Sequence, residues 1–346
     1  MTDTFNPDTN FGNNGIFGLP FNPDTSKVII LPVPWEVTSS YRSGASKGPQ
    51  AIYNASFQLD LHNEKYFRPW KAGIAMTDFN PEIKKLNDDT KILAQKVINT
   101  IETTNTINSE TQNLIDKVNV NCETMNTLVE DNSRNYLQQN KIVGIVGGDH
   151  SCPLGLVNAI AEKESDFGIL HIDAHADLRE AYLGFKYSHA SIMNNVMKIP
   201  NIKKIVQVGI RDYCEEEQEI INNNSKIKCF TAKSISDALF EGISWKKIAV
   251  RIIKELPQKA YISFDIDGLE PHLCPSTGTP VPGGLEFNQV MYLLETLCLH
   301  KKNIIGFDLC EVSPSENESN DWDAIVGARV LYNLCTYVVL SNEGMS

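Results

Sequence analysis

Phe167-Gly168-Ile169-Leu170-His171-Ile172-Asp173-Ala174-His175-Ala176-Asp177 joins a buried strand to a cluster of acids and histidines. Its first part, residues 167–172, is a short apolar run of the kind that forms a buried strand. Its last part sets Asp173, His175 and Asp177 at alternate positions, where extended backbone turns side chains to one face. Comparable apolar runs occur at 142–146, 204–208, 260–264 and 304–307, separated by helix-forming stretches. Continuous apolar strands alternating with helices predict an α/β protein, with a mainly parallel sheet covered on both faces. Ligands of such sheets sit beyond the carboxyl ends of the strands.

Outward from this centre, residues 27–33 predict a further buried strand, and Gly48-Pro49 a helix start. Residues 88–139 are polar and poor in Gly and Pro, which predicts two or three amphipathic helices, a helical insertion near 88–140. Residues 322–339 predict a closing apolar helix. Residues 1–26 predict an irregular surface arm, in which Phe-Asn-Pro-Asp-Thr occurs at 5–9 and again at 21–25. No linker divides the remainder, so residues 27–346 are expected to form a single domain.

Lys and Arg number 31 against 43 Asp and Glu, a net charge of −12, which argues against nucleic acid and anionic membranes as partners. The chain is 42% hydrophobic and 21% charged, which excludes global disorder. No apolar run reaches the roughly 18 residues of a membrane span, and the N-terminus lacks a signal-peptide pattern. Eight cysteines in so long a chain do not argue for disulfides. A cytoplasmic protein with reduced thiols is the expectation.

The polar clusters fall at the predicted strand ends. Gly147-Gly148-Asp149-His150-Ser151 follows the run 142–146, Asp265-Ile266-Asp267 follows 260–264, and Asp308-Leu309-Cys310-Glu311 follows 304–307. Four of the seven histidines lie between 150 and 189. A lone Asp-X-Asp or Gly-Gly-Asp-His is commonly a turn; together, at successive strand ends, they predict a metal site. Apposed carboxylates would otherwise have to protonate. His150, Asp173, His175, Asp177, Asp265 and Asp267 suffice for two divalent ions if some Asp groups bridge. Oxygen and imidazole donors without cysteine favour Mn²⁺ over structural Zn²⁺, with nickel or iron left open. Four aspartates balance two dications, so a bridging hydroxide and Glu311 would leave the centre negative. It should then attract a cationic substrate rather than a phosphate. His171 is expected to support or pack; His62, His272 and His300 to be structural or exposed; and Cys152 and Cys310 to pack.

These motifs resemble the ureohydrolase superfamily of arginases, agmatinases and formimidoylglutamases. The resemblance rests on Gly-Gly-Asp-His-Ser at 147–151, Asp-Ala-His-Ala-Asp at 173–177 and Ser-Phe-Asp-Ile-Asp-Gly-Leu-Glu-Pro at 263–271. It extends through Thr277-Gly278-Thr279-Pro280, Pro282-Gly283-Gly284 and Gly306-Phe307-Asp308-Leu309-Cys310-Glu311, covering about residues 27–340. Ser40-Tyr41-Arg42-Ser43-Gly44-Ala45, Gly48-Pro49-Gln50-Ala51-Ile52 and the region from Asp177-Leu178-Arg179 to Tyr187-Ser188-His189-Ala190-Ser191 look like the agmatinase branch. Glu270 departs from the commoner Asp, and the 88–139 segment is longer than in compact members.

The resemblance implies a three-layer α/β/α sandwich, the arginase-like fold, with two Mn²⁺ ions and a bridging hydroxide. One ion would take His150, Asp173, Asp177 and Asp265; the other Asp173, His175, Asp265 and Asp267. Glu311 would hold the guanidinium, Asp177 would also orient the nucleophile, and His189 would move a proton. The implied reaction is hydrolysis of agmatine to putrescine and urea, a step of polyamine biosynthesis. Guanidine, a guanidino acid, arginine or formiminoglutamate are alternative substrates. Arg42, Arg179 and Lys186 could meet a carboxylate but are expected to be solvated or paired. The competing classes are a binuclear hydrolase of amides or phosphate esters and a silent binding homologue. A homo-oligomer, trimer or hexamer, is implied by resemblance alone.

Overall fold

The computed structural model describes residues 5–7, 15–317 and 319–343. Eight parallel strands form one sheet: β1 (Val28–Val33), β2 (Ile74–Met76), β3 (Ile142–Gly147), β4 (Phe167–Ile172), β5 (Ile202–Ile210), β6 (Ile227–Thr231), β7 (Lys259–Asp265) and β8 (Asn303–Cys310). Their spatial order is β2-β1-β3-β8-β7-β4-β5-β6. Alternation along each strand feeds two cores. Val28 and Ile30 of β1, Leu170 and Ile172 of β4, and Ile262 and Phe264 of β7 enter one core. Ile29, Leu31 and Val33, with Phe167, Ile169 and Tyr261, enter the other.

Helices α1 (Gly48–Ala55), α7 (Ala232–Phe240), α8 (Trp245–Lys254), α9 (Phe287–Leu299) and α10 (Trp322–Glu343) cover the first face. Helices α2 (Pro81–Thr104), α3 (Ser109–Leu137), α4 (Leu154–Lys163), α5 (Ile192–Met197) and α6 (Glu215–Asn223) cover the second. The three-layer expectation holds, and the sheet is wholly parallel.

Two edge strands, β2 and β6, escaped the sequence reading. Each has one open flank and lacks a long apolar run: β2 is Ile-Ala-Met, and β6 is mostly half-exposed Ile-Lys-Cys-Phe-Thr. The helical segment is two helices, and it begins at Pro81 rather than near 88. Asn80 caps it by accepting from the Glu82 N–H at 2.8 Å, with Pro81 in the first turn. The break falls at Asn105, whose φ is 51°, and Asn108 caps the second helix.

The arm departs from a surface reading where it is described. Ile16, Phe17 and Leu19 are buried, and the Phe17 ring meets Tyr332 edge-on with centroids 5.2 Å apart. The second Phe-Asn-Pro-Asp-Thr copy ends in a 3-10 turn at Pro23–Thr25, capped by Asn22. Most of residues 1–14, including part of the first copy, lies outside the described residues.

Among the described residues, one helix does meet the length and composition of a membrane span: Trp322–Asn342 has a mean hydropathy of 1.5. Its apolar residues are consumed inside the protein, with Val330, Leu331, Leu334, Cys335 and Val338 all buried in the first core. All eight cysteines are free thiols.

The topology builds the site. The four strands that carry the polar clusters, β3, β8, β7 and β4, are adjacent at the centre of the sheet. The chain skips from β3 to β4 and fills the gap later with β7 and β8, so residues from four distant segments share one crevice beyond the carboxyl ends.

Candidate metal centre

His150 stands just past β3 and is buried, with Nδ1 3.0 Å from Asp173 Oδ2 and 3.3 Å from both Asp177 Oδ2 and Asp265 Oδ2. His175 places Nδ1 3.0 Å from Asp267 Oδ2 and 3.5 Å from Asp173 Oδ1. Two groups of donors thus meet at Asp173, whose two oxygens face different imidazoles. The six residues singled out as a donor set come together.

The local backbone differs from the extended path read from the spacing. β4 ends at Ile172, Ala174 lies in a bend, and Asp177 turns into the left-handed region at φ 54°. The bend is fixed by the Arg211 and Asp212 N–H groups, which both donate to the Ala174 carbonyl at 2.7 and 3.0 Å. Asp265 and Asp267 share a face through a 3-10 turn at Ile266–Gly268, which Asp265 caps by accepting from the Asp267 N–H at 2.8 Å. Asp267 in turn accepts from the Ala174 N–H at 3.0 Å, tying the β7 turn to the β4 bend.

Supporting groups lie behind these donors. His150 Nε2 is 2.8 Å from Ser263 Oγ and 3.5 Å from Asp308 Oδ1. His171, fully buried, sets Nε2 2.8 Å from Asp173 Oδ2, while its Nδ1 lies 3.1 Å from Gln207 Nε2. Its ring thus stands among the donors grouped with His150, Asp173 and Asp177, where a supporting place was the expectation. Ser263 and Asp308 belong to the strand-end motifs, and their positions on β7 and β8 are the only sequence signal for this supporting role. His62, His272 and His300 are exposed. Cys152 and Cys310 are buried, and burial raises both thiols.

Glu311 leaves β8 at φ 62°, with its Oε1 accepting from the His150 N–H at 3.0 Å and its carbonyl accepting from Thr277 Oγ1 at 2.8 Å. His189 opens a 3-10 turn, with Nδ1 3.3 Å from Thr38 Oγ1 and its ring 6.0 Å from that of Tyr182. Both residues line a cavity of about 210 Å³, together with Ser40, His150, His175, Asp177, Arg179, Tyr182, Asp212, Asp265 and Asp267. Of the cations considered for a substrate carboxylate, Arg179 alone lines this cavity. Arg42 donates to the Pro275 carbonyl on an exposed loop, and Lys186 is exposed.

Electrostatics expose the crowding. Burial, then the charges of Asp267 and Asp173, push Asp265 well above the usual carboxylate range. Burial and the Asp173 charge lift Asp177 to about 6. Burial, with the charges of Asp265 and Asp149, raises Glu311. Burial opposes charge on His150, but its hydrogen bonds to Asp173, Asp177, Asp265 and Asp308 outweigh this and hold it well above its ordinary value. His189 goes the other way, pushed down to about 4 by burial and the charges of His175 and His150. The donors are carboxylate oxygens and imidazole nitrogens, without thiolate. Such a set fits hard or borderline divalent cations, which would relieve the repulsion among the acids.

This sheet, with acids and histidines gathered beyond its central strands, is the architecture of the ureohydrolases. Residues 26–336 match the model of the Arginase family, and the chain belongs to that family. Binuclear divalent metal centres are its rule. The chain is similar to the N(1)-aminopropylagmatine ureohydrolase of Thermus thermophilus, with 31% identity over 304 residues and 87% of each chain covered. It is 28% identical to the agmatinase of Neisseria meningitidis over 328 residues, covering 92% of this chain and 90% of that one. The agmatine ureohydrolase of Thermoplasma volcanium shares the fold, with a TM-score of 0.73 at 23% identity, over 96% of this chain and 97% of that one.

Proposed function

We propose that the chain hydrolyses a decarboxylated guanidino compound, agmatine to putrescine and urea in the first instance, with two Mn²⁺ ions. The observation that carries this reading is the buried Asp173 shared between two histidine–carboxylate groups, whose His150, Asp177, His175 and Asp267 line a cavity that Glu311 also lines. In this reading His150, Asp173, Asp177 and Asp265 would hold one ion, and Asp173, His175, Asp265 and Asp267 the other; Ni²⁺ or another divalent ion suits the same donors. Such a pair supplies Lewis acidity that lowers the pKa of water from about 15.7 towards about 7, which a resonance-stabilised, cationic guanidinium requires of its nucleophile.

The remaining tasks fall to side chains. Glu311 keeps one oxygen on the His150 N–H, leaving the other to accept charge-assisted hydrogen bonds from the guanidinium and set its carbon over the acids. Asp177, fixed by its left-handed turn, orients the nucleophile. His189, whose buried ring disfavours the charged form, accepts a proton and returns it to the leaving nitrogen. Thr38 and Ser188 hydroxyls flank its Nδ1 at 3.3 and 3.4 Å.

Charge at the cavity mouth supports an amine tail. The Asp212 side chain is 69% exposed there. Arg179 is partnered, with Nε 3.8 Å from Glu217 Oε2 and its guanidinium over the Tyr182 ring. The names of the Thermus and Neisseria relatives agree with a decarboxylated substrate. The similar guanidinobutyrase of Pseudomonas aeruginosa makes a guanidino acid the runner-up. The free thiols suit a reducing cytoplasm, and a diamine product suits polyamine biosynthesis. We also read residues 27–346 as one ureohydrolase domain and the assembly as a trimer or hexamer.

The test is urea release from agmatine, its aminopropyl derivative, guanidinobutyrate, arginine, formiminoglutamate and guanidine, with model esters alongside and metal analysis of the same sample. An amine-tailed substrate should give the highest kcat/KM. A carboxylate-tailed winner overturns the tail assignment, and turnover of esters alone overturns the reaction.

A further inference from the structure

Helices α2 and α3 each grip one of the two loops that meet at His189. The first loop follows β1 and contains Glu36, which is 1% exposed. From α2, Asn87 Oδ1 accepts the Glu36 N–H at 2.7 Å, and Lys91 Nζ lies 2.9 Å from Glu36 Oε2. The Glu36 carboxylate also accepts from the Gly44 N–H at 2.8 Å and from Ser46 Oγ at 3.1 Å, so it draws the ends of the segment 36–46 together. Between those ends, Thr38 Oγ1 lies 3.3 Å from His189 Nδ1, and Ser40 Oγ lies 3.1 Å from Tyr182 Oη.

The second loop carries Tyr182 and His189 themselves. From α3, Asn119 Nδ2 donates to the Gly184 carbonyl at 3.1 Å, and Asn119 Oδ1 accepts the Lys186 N–H at 2.8 Å. Gly184 has φ +86°, and a Cβ there would come within 2.9 Å of Ile115, also on α3. A tight turn, closed by Tyr182 and Phe185 N–H···O bonds of 3.1 and 2.9 Å, is thus docked on the helix by one bidentate side chain.

We propose that the α2–α3 pair is a positioning device for proton transfer, in which Asn119 and the Asn87–Glu36–Lys91 cluster fix two loops so that Thr38 meets His189 and Ser40 meets Tyr182. The helices contribute no group that touches substrate; they act through His189. The proposal rests on the proton-transfer role given to His189 above. If the helices only covered the sheet, loss of a clamp would lower stability without acting through that histidine.

A double-mutant cycle separates the two. Asn119→Ala is made in the metal-loaded full-length chain and again in a His189→Ala background, and kcat and KM for urea release from agmatine are measured, with long incubations for slow variants. Metal content and Tm are recorded for all four proteins. In the otherwise wild-type chain, kcat should fall by about tenfold or more, as small misplacements of reacting groups do, with KM and metal content held within about twofold. In the His189→Ala background the same change should cost less than about twofold. Lys91→Met, acting from the other helix on a partly exposed residue, should show the same pattern and stands in if Asn119→Ala does not fold. A clamp variant with wild-type kcat, or an equal fall in both backgrounds, overturns the proposal. A wild-type chain that releases no urea from any guanidine overturns the function itself, which a live wild type with an additive cycle does not.

Discussion

Asp177 and Glu311 stand at φ 54° and 62°, where residues with a Cβ are strained by of order 1–3 kcal/mol each. Both line the cavity, and their neighbours over-determine them: Glu311 is pinned through its N–H to the Gly148 carbonyl, its side chain to His150 and its carbonyl to Thr277. Glu311→Gln keeps the shape and the His150 contact but loses the charge that meets a guanidinium. Turnover should fall by about 100-fold or more while metal content measured by mass spectrometry stays at the wild-type level; unchanged turnover would remove its substrate role. His189 makes a second prediction, with a definite sign. Its folded value, about 4, lies below the ordinary 6.5. The unfolded chain therefore binds its proton more tightly, and the stability His189 contributes above about pH 6.5 is lost as pH falls towards 4. In metal-stripped protein, His189→Asn should flatten the decline of Tm across that acid range, and an unaltered slope would show that the histidine is not held neutral by the fold.

At the level of elements, close approach decides what can change. Gly155 on α4 faces the Asn126 carbonyl of α3, and a Cβ there would sit 2.3 Å from that oxygen. Gly155→Ala should push the helices apart and cost about 1–3 kcal/mol, seen as a lower urea midpoint with an unchanged m-value; no loss would mean that the α3–α4 contact is looser than described. The central strands were legible because each is buried on both faces, so its run is almost wholly apolar, as in 167–172, where only His171 is polar. The edge strands β2 and β6 were not, because an open flank releases the sequence from that demand. The α2 start at Pro81 is signalled by Asn80-Pro81, a cap residue followed by a first-turn proline, although the residues just after it are mostly polar. The site was legible in its residue types and hidden in its geometry. Asp173, His175 and Asp177 converge through a bend and a left-handed turn, and Asp265 and Asp267 through a 3-10 turn, none of which alternate spacing reveals. Thr38, Glu36 and Asn119 carry no local signal, since their partners lie in distant segments.

For the molecule as a whole, the spatial order β3-β8-β7-β4 is what turns four separate motifs into one centre. Burying that many acids together opposes folding unless cations accompany them. Removing divalent ions with a chelator should therefore lower Tm, and Mn²⁺ should restore it in a concentration-dependent manner, as mass action requires; a chelator-insensitive Tm would argue against ions in the fold. The proposed function stands or falls with two dications that share Asp173. Anomalous diffraction from Mn²⁺-soaked crystals, collected at the manganese edge, tests it most directly. Two peaks about 4 Å apart are expected, one bounded by His150, Asp173, Asp177 and Asp265 and the other by Asp173, His175, Asp265 and Asp267. A single peak, or none among these side chains, would contradict it.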